Sequence, residues 1–510
     1  MAEKKQPIQK LLIANRGEIA VRVIRACREL GIVPVAVYSE VDRFSRHVLE
    51  AAEAVALGGA APAESYLNIE RIVEAARRTG CQAIHPGYGF LAENPDFARA
   101  CREAGLLFIG PPPESMALVG DKLKARHTVQ QAGVPLVPGR EVQDADPARL
   151  QEIAEEIGFP VLIKAAAGGG GKGMRVVRQA GELASAVAAA RREARAAFGN
   201  DTVYLEKYIE KPRHVEIQVL ADAHGNVVHL FERECSVQRR HQKIVEESPS
   251  PALDPQLRQQ MGETACRVMQ SVGYINAGTV EFLLDEQKNF YFLEVNARIQ
   301  VEHPVTEMVT GVDLVHQQIA IAQGASLPFR QEQVRQYGHA IECRIYAEDP
   351  ANNFFPSVGK LLLVREPSGP GIRCDSGIYS GWEVTHHYDP ILSKLITWDV
   401  DRQGALARMK SALANYVLLG IENPVSFLQA LIEHPAFQAG NLHTHFLEEH
   451  FSDWQPPVPE EQLPLGMLAA ALQERQMRRQ VKTGEPAVPT PWQALGRWEM
   501  LHRDERSGEN

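Results

Sequence analysis

Short apolar runs alternate with segments of helical period through the first hundred residues. Lys10-Leu-Leu-Ile-Ala14 is a brief apolar strand and Asn15-Arg-Gly17 a turn. Glu18 to Leu30 then repeats its apolar residues at helical spacing until Gly31. Val33 to Tyr38, Ala54 to Leu57 and Leu106 to Gly110 read as further strands, with helices over Asn68–Arg78 and Asp96–Ala104. Strands alternating with helices imply a parallel sheet covered on both faces. Pro111-Pro-Pro113 closes this segment. Asp121 to Ala132 predicts a helix, and Pro160-Val-Leu-Ile-Lys164 a strand running into glycines. From about Tyr204 to Asn296 the period shortens to two. Val215–Leu220 with Val227–Phe231 predicts one hairpin, and Thr279–Leu284 with Phe290–Asn296 another. Helices and strands continue to about Phe451. Trp454-Gln-Pro-Pro-Val-Pro459 reads as a linker, and Glu461–Gln480 as an amphipathic helix. No internal repeat is visible.

Composition narrows the classes. A length of 510 residues suggests roughly three domains at ~150 residues each. With 45% hydrophobic and 23% charged residues the chain has the balance of a folded protein. The net charge of −10 argues against a nucleic-acid partner. The apolar runs end well short of the ~20 residues a bilayer span needs, which argues against a membrane one. Met1 to Gln9 is short and polar, with neither a signal-peptide core nor an Arg-rich transit sequence. Seven scattered cysteines point to reduced thiols, and so to a cytoplasmic protein.

Three features carry candidate chemistry. Gly168–Gly171 and Gly173 follow a strand, and glycines let backbone N–H groups approach an anion. This is not a Walker A loop, because Met174 stands where Ser or Thr is needed, nor does it open the first βα unit as a dinucleotide fingerprint would. A flexible loop and a phosphate loop both remain open, with Lys164 and Lys172 favouring the second. In the second hairpin, a loop over Glu286–Asn289 pairs Asp285 with Phe290 and sets Glu281 opposite Glu294. Two facing carboxylates repel unless a cation or a proton relieves them, which suits Mg²⁺-nucleotide; two solvated glutamates are the alternative. Beyond it, Glu294, Asn296, Arg298, Gln300 and Glu302 alternate with Val295, Ala297, Ile299 and Val301, as one polar face of an extended segment. Lastly, Gln238-Arg-Arg-His-Gln-Lys243 is a cationic stretch in an acidic chain.

These segments resemble a known family. Leu12-Ile-Ala-Asn-Arg-Gly-Glu-Ile-Ala20, His85-Pro-Gly-Tyr-Gly-Phe-Leu91, Arg239-Arg-His-Gln-Lys243, Arg298-Ile-Gln-Val-Glu-His-Pro-Val-Thr-Glu307 and Ala347-Glu-Asp-Pro350 occur in the order found in biotin carboxylases of the ATP-grasp superfamily. The resemblance covers roughly Lys10 to Phe451. It implies an α/β and α+β multidomain fold. A Rossmann-like pre-ATP-grasp domain would span 1–120 and an ATP-grasp domain 121–330, with a mobile lid at about 135–206. A biotin carboxylase C-terminal domain would span 331–452, and a linker, helix and polar tail 453–510.

The resemblance also implies roles. Lys122, Lys164 and His214 would bind ATP phosphates, with Gly169, Gly170, Gly171 and Met174 of the loop. Glu206, Lys207 and Ile209 would frame the adenine, with Gln238 and His241 completing the ATP contacts. Glu281 and Glu294 would hold Mg²⁺ or Mn²⁺, with Asn296 nearby. Lys243, Arg298, Gln300 and the Val301 N–H would hold bicarbonate, and Glu302 would deprotonate it. Arg344 would stabilise the biotin enolate, with Tyr88 beside it. Arg22, Arg25 and Glu29 would face a second copy in a homodimer. Biotin would ride on a separate carrier protein, since no Met-Lys-Met is present, and a carboxyltransferase would complete the complex. Ala167, Lys172, Val295 and Ala297 depart from the microbial acetyl-CoA type and resemble α chains of propionyl- or methylcrotonyl-CoA carboxylases. So do Tyr388-Asp-Pro-Ile-Leu-Ser-Lys394 and His443-Thr-His445, which leaves the final acyl acceptor open. His443 and His445, lacking a third ligand, read as structural. Other ATP-grasp ligases or a nucleotide-binding scaffold are the rival readings. The region beyond Trp454, including Thr490-Pro-Trp-Gln-Ala-Leu-Gly-Arg-Trp498, would dock a partner (carrier or carboxyltransferase), be the stump of a longer α subunit, or pack back on the core.

Overall fold

Residues 7–142, 147–165, 174–198 and 202–457 are described by a computed structural model. Near the N-terminus, β1 (Lys10–Ile13), β2 (Val33–Ser39), β3 (Glu53–Gly58), β4 (Ala83–His85) and β5 (Leu107–Phe108) form an all-parallel sheet. Its order is β3-β2-β1-β4-β5, so the strand order reverses between β1 and β4. Loops leaving two such strands diverge and open a crevice. Here the loops after β1 and β4 meet instead through Asn15, whose Nδ2 donates to the carbonyls of Pro86 and Tyr88, both at 2.7 Å. Gly87, at φ +63°, lets the loops approach this closely: a Cβ there would sit 2.9 Å from Asn15 Nδ2. The helix Gly17–Glu29 buries Ile19, Ala20, Val23, Ile24, Ala26 and Cys27. Asn68, Asn94 and Asp121 cap the helices that follow them with side-chain oxygens.

A second, smaller sheet is antiparallel. It contains β6 (Gly139–Val142), β7 (Val161–Ala165), β8 (Arg175–Val177) and β9 (Val203–Lys207), in the order β6-β9-β7-β8. Helices Pro147–Ile157 and Ala180–Phe198 help enclose a separate small core of Leu150, Val161, Ile163, Val187 and Leu205. The glycines Gly169, Gly170 and Gly171 lie outside the described residues, as does the segment 461–498.

The third sheet positions the site. It contains β10 (Arg213–Ala221), β11 (Val227–Arg239), β12 (Gln242–Ser248), β13 (Asn276–Leu284), β14 (Phe290–Asn296) and β15 (His339–Tyr346), followed by strands Ile391–Asp399 and Ile372–Ser376. Its order is β14-β13-β10-β11-β12-β15 and then those two strands, antiparallel throughout. Pairing of β12 with β15 carries the hydrogen-bonded surface without a break past residue 330.

Both hairpins form, with three differences from the sequence reading of this region. The region 204–296 also contains a 17-residue helix, Pro255–Ser271, which Asp254 caps. The second hairpin turns more tightly than expected. Leu284, not Asp285, pairs with Phe290, and a bulge follows near Leu293. The strand β14 ends at Asn296, so the alternating segment is not extended to Glu302. The N–H of Ala297 leaves the ladder for Glu93 Oε1 at 2.9 Å, and a helix begins at His303. Among the described residues no helix is long and apolar enough to cross a membrane. All seven cysteines are free.

Candidate active site

Side chains on one face of a strand recur every second residue, and directly paired residues share that face. Register therefore places Arg233, Glu216, Glu281 and Glu294 in one row across β11, β10, β13 and β14. Gln218, Thr279 and Asn296 form the adjacent row. Three neighbouring carboxylates demand cations. Arg233, with no exposed surface, meets Glu216 through Nε. Its other N–H groups reach Gln218 at 2.7 Å, Thr306 at 3.0 Å, Thr279 at 3.1 Å and Gln300 at 2.6 Å. All five guanidinium donors are thus used.

Lys243 supplies the second cation. Its ammonium donates to Glu216 at 2.5 Å, Glu281 at 2.9 Å and Glu302 at 2.6 Å. Burial alone would lower its pKa, but the three carboxylates hold it well above the ordinary lysine value. Glu281 also accepts from Asn296 and Gln300, both at 2.9 Å, and lies 2.8 Å from His214 Nε2. Burial would raise the Glu281 carboxyl; Lys243 and His214 hold it well below the usual carboxylate range. Glu302 stands one residue ahead of the helix His303–Thr310, between Lys243 and Arg344, the latter at 2.9 Å. Burial again pushes its carboxyl up, and Lys243, Arg344 and Arg233 outweigh it, so Glu302 is an ionised, clamped carboxylate. Arg344 is shared with Glu246 at 2.5 Å.

Other expected residues occupy more varied places. Arg298 joins this cluster through Asn296 Oδ1 at 2.9 Å, and its Nε donates to Glu93 at 3.0 Å. Val301 offers its carbonyl to Lys394 Nζ at 2.8 Å, and Lys394 lies 3.4 Å from Glu18, which Tyr88 also contacts. Lys164 pairs with Glu206, which Arg126 also meets at 3.0 Å, so these two expected ATP residues lie against each other. Lys207 turns to the carbonyls of Gly158 and Phe159, at 2.8 and 2.9 Å, and Ile209 follows in the connection to β10. Met174 is exposed. Lys122 opens the helix Lys122–Gln131, and its side chain lies outside the described residues.

The basic stretch forms the tip of a hairpin. Arg240 and His241 form a two-residue turn, both with positive φ, which suits tight hairpins. Gln238 is buried and His241 exposed. Arg239 pairs with Glu348 at 3.0 Å and stacks on Phe354 at 4.4 Å. Arg22 departs from its expected surface role: it is buried and bound to Glu307 at 2.9 Å and Asp313 at 2.7 Å. Arg25 and Glu29 are exposed.

Sequence reasoning missed Glu216, Arg233, Glu246, Glu18, Lys394 and Glu93. The available signal for Glu216 was the polar alternation His214, Glu216, Gln218 along a strand. No local signal marks Glu93, which meets Arg298 only through the fold.

Comparison with known proteins agrees with this architecture. Residues 7–116 match the family described as biotin carboxylase, N-terminal domain. Residues 121–330 match the carbamoyl-phosphate synthase L chain, ATP binding domain, and 342–449 the biotin carboxylase C-terminal domain. Biotin carboxylase 1 of Bacillus subtilis is 54% identical over 444 residues, covering 87% of this chain and 99% of the relative. The mitochondrial α chain of methylcrotonoyl-CoA carboxylase from Mus musculus is 49% identical over 474 residues; the match covers 92% of this chain and 66% of that longer protein. Among solved structures, a Campylobacter jejuni biotin carboxylase in complex with β,γ-ATP has TM-score 0.81 and 46% identity, over 87% of this chain and 99% of that one. The biotin carboxylase domain dimer of Hydrogenobacter thermophilus 2-oxoglutarate carboxylase, with MgADP, ADP and bicarbonate, has TM-score 0.80 and 49% identity, over 87% and 98%. With its N-terminal, ATP-binding and C-terminal regions all matched and its identity near one half along most of its length, the chain belongs to the biotin carboxylase family.

Proposed function

We propose that the protein uses ATP and bicarbonate to carboxylate biotin held on a separate carrier, the first half-reaction of a biotin-dependent carboxylase. The observation that carries this reading is Glu302, clamped between Lys243 and Arg344 beside the row of carboxylates. As the γ-phosphoryl group of ATP passes to a bicarbonate oxygen, Glu302 takes the bicarbonate proton, leaving ADP and carboxyphosphate. Carboxyphosphate separates into CO₂ and phosphate. That phosphate removes the N1′ proton of biotin, and the enolate, its charge held by Arg344, attacks CO₂. A carboxylate as stabilised as Glu302 is a weak base alone. Incoming bicarbonate and nucleotide phosphates draw on Lys243 and Arg344, which raises the proton affinity of Glu302 only when both substrates are present.

The donor set suits Mg²⁺ or Mn²⁺: Glu281 and Glu294 face each other across one ladder position, and hard divalent ions prefer carboxylates plus substrate phosphates. Bound there, the ion would neutralise charge developing on the transferred phosphoryl group. Asn296 brackets this pair rather than standing free, since it donates to Glu281 and accepts from Arg298. Lys122, Lys164, His214 and the loop at Gly169, Gly170, Gly171 and Met174 would meet the phosphates. Glu206, Lys207, Ile209, Gln238 and His241 would meet the rest of the nucleotide. Lys243, Arg298, Gln300 and Val301 would hold bicarbonate, and Tyr88 would border biotin. The division at about residues 120, 330 and 452, with the small antiparallel sheet as lid, fits these roles. The carrier, a carboxyltransferase and a second copy meeting Arg25 and Glu29 are the expected partners, in the cytoplasm. The final acceptor is an acyl-CoA or a 2-oxo acid.

Glu302→Gln tests the base. Bicarbonate-dependent ATP cleavage should fall about 10²–10⁴-fold, with ATP binding retained because Glu281 and Glu294 are untouched. Near-normal cleavage would overturn the assignment.

A further inference from the structure

The pair His443 and His445 lacks a third ligand in sequence, but the fold brings others to His443. A ring nitrogen of His443, a ring nitrogen of His450 and a carboxylate oxygen of Glu449 all lie within 4.8 Å of one another. His443 Nε2 and Glu449 Oε2 are 3.4 Å apart. Two ligands at 2.0–2.1 Å from a tetrahedral zinc ion stand about 3.3 Å apart, so this edge is already at coordination spacing. The other two separations are within 4.8 Å. His443 is buried, and its Nδ1 has no hydrogen-bond partner. His445 does not complete the set: its ring centroid is 6.4 Å from that of His443. The short helix Phe446–His450 is held by buried Phe446 and Leu447, and Thr444 N donates to Pro212 O at 2.9 Å, so the three groups sit on an anchored segment.

We propose that His443, Glu449 and His450 bind one zinc-type divalent ion, at a site separate from the carboxylate row. Two imidazoles and a carboxylate match the three-protein-ligand set that zinc accepts, with water in the fourth place. The present competitor is Lys211, whose ammonium lies 2.6 Å from the same Glu449 Oε2. Lys211 belongs to the connection between β9 and β10, so the ion and this connection compete for one carboxylate oxygen.

Equilibrium dialysis of the full chain against Zn²⁺, without nucleotide, tests the site, with metal content read per chain. The wild type should retain one ion that the double variant His443→Ala/His450→Ala does not. Glu449→Gln, on an exposed side chain, should weaken binding about 10–100-fold, the scale on which even supporting residues act at metal sites. Lys211→Gln should tighten binding by removing the competing ammonium. The proposal is overturned if the wild type retains no Zn²⁺, or if the folded double variant retains as much. Should the double variant misfold, equal affinities in Glu449→Gln, Lys211→Gln and wild type overturn it.

Discussion

Lys243 is the shared counter-ion of three carboxylates. Its ammonium contacts Glu216, Glu281 and Glu302, all buried. In Lys243→Met Glu216 keeps Arg233 and Glu302 keeps Arg344, Glu281 keeps its donors Asn296 and Gln300, and three negative charges lose their common counter-ion. Breaking a buried ion pair from one side costs about 3–5 kcal/mol. Protonating one carboxyl relieves the excess. At an ordinary glutamate pKa of about 4.3, that costs about 3.7 kcal/mol at pH 7 and about 1 kcal/mol at pH 5. The sign follows. In the wild type Glu281 and Glu302 lie below their unfolded values, so their contribution is complete above those values and is lost only as pH falls through the folded ones. In the variant the protonated carboxyl has a raised pKa. Its contribution is present below the unfolded value and lost as pH rises toward the folded one. The stability gap should therefore widen from about 1 kcal/mol at pH 5 to about 3–4 kcal/mol at pH 7, read from urea midpoints of both proteins. A gap equal at the two pH values, or no gap at pH 7, would refute this account of the cluster.

Arg344→Gln should leave part of the bicarbonate-dependent ATP cleavage while carboxybiotin formation falls, because its enolate role follows cleavage; equal loss of both activities would count against it. Glu342, buried beside Glu246 with neither carboxylate oxygen hydrogen-bonded, is pushed well above the ordinary range by burial, with Lys394 opposing and Glu246 adding. Its stabilising contribution is present below the unfolded value and lost as pH rises through the folded one. Glu342→Gln should thus gain in urea midpoint relative to wild type as pH is raised, and a relative loss would sink the reading.

The legible parts of this molecule are those written in contiguous residues. β1, β2 and the helix Gly17–Glu29 show in the apolar period because each buries a regular face. β4 escapes because three residues carry no period, yet it sets where the sheet order reverses. The helix Pro255–Ser271 is hidden inside a region that reads as strands, although Asp254-Pro255 is a helix start and the Asp254 side chain accepts from Leu257 N. In the site, Lys243 and Glu302 lie in continuous motifs. Arg233 and Glu216 lie in strands whose polar faces become meaningful only once register aligns them with Glu281. The link from Tyr88 through Glu18 and Lys394 to Val301 joins four distant segments, and no spacing rule reaches it.

The sequence places Glu281 opposite Glu294 correctly, but through a turn the chain does not make. The actual loop is three residues, closed by Asp285 N to Asn289 O at 2.9 Å, with Lys288 at φ +67°. Such a turn alone would place Glu294 one position past Glu281. The bulge restores the pair by leaving Leu293 over, 41% exposed, between the pairs Phe282–Phe292 and Glu281–Glu294. Two compensating single-residue steps therefore hide each other in the sequence. Deleting Leu293 should convert the bulge into regular ladder with both pairs intact, and so should spare the fold and ATP affinity. Deleting Val295, which lies beyond the bulge and pairs with Val280, should turn Asn296 toward the core by a one-residue slip and abolish ATP binding. Nucleotide titration and thermal melting of the two deletions separate the cases. If loss of Leu293 removes ATP binding from a folded protein as completely as loss of Val295, the bulge's own twist positions Glu294, and register alone does not.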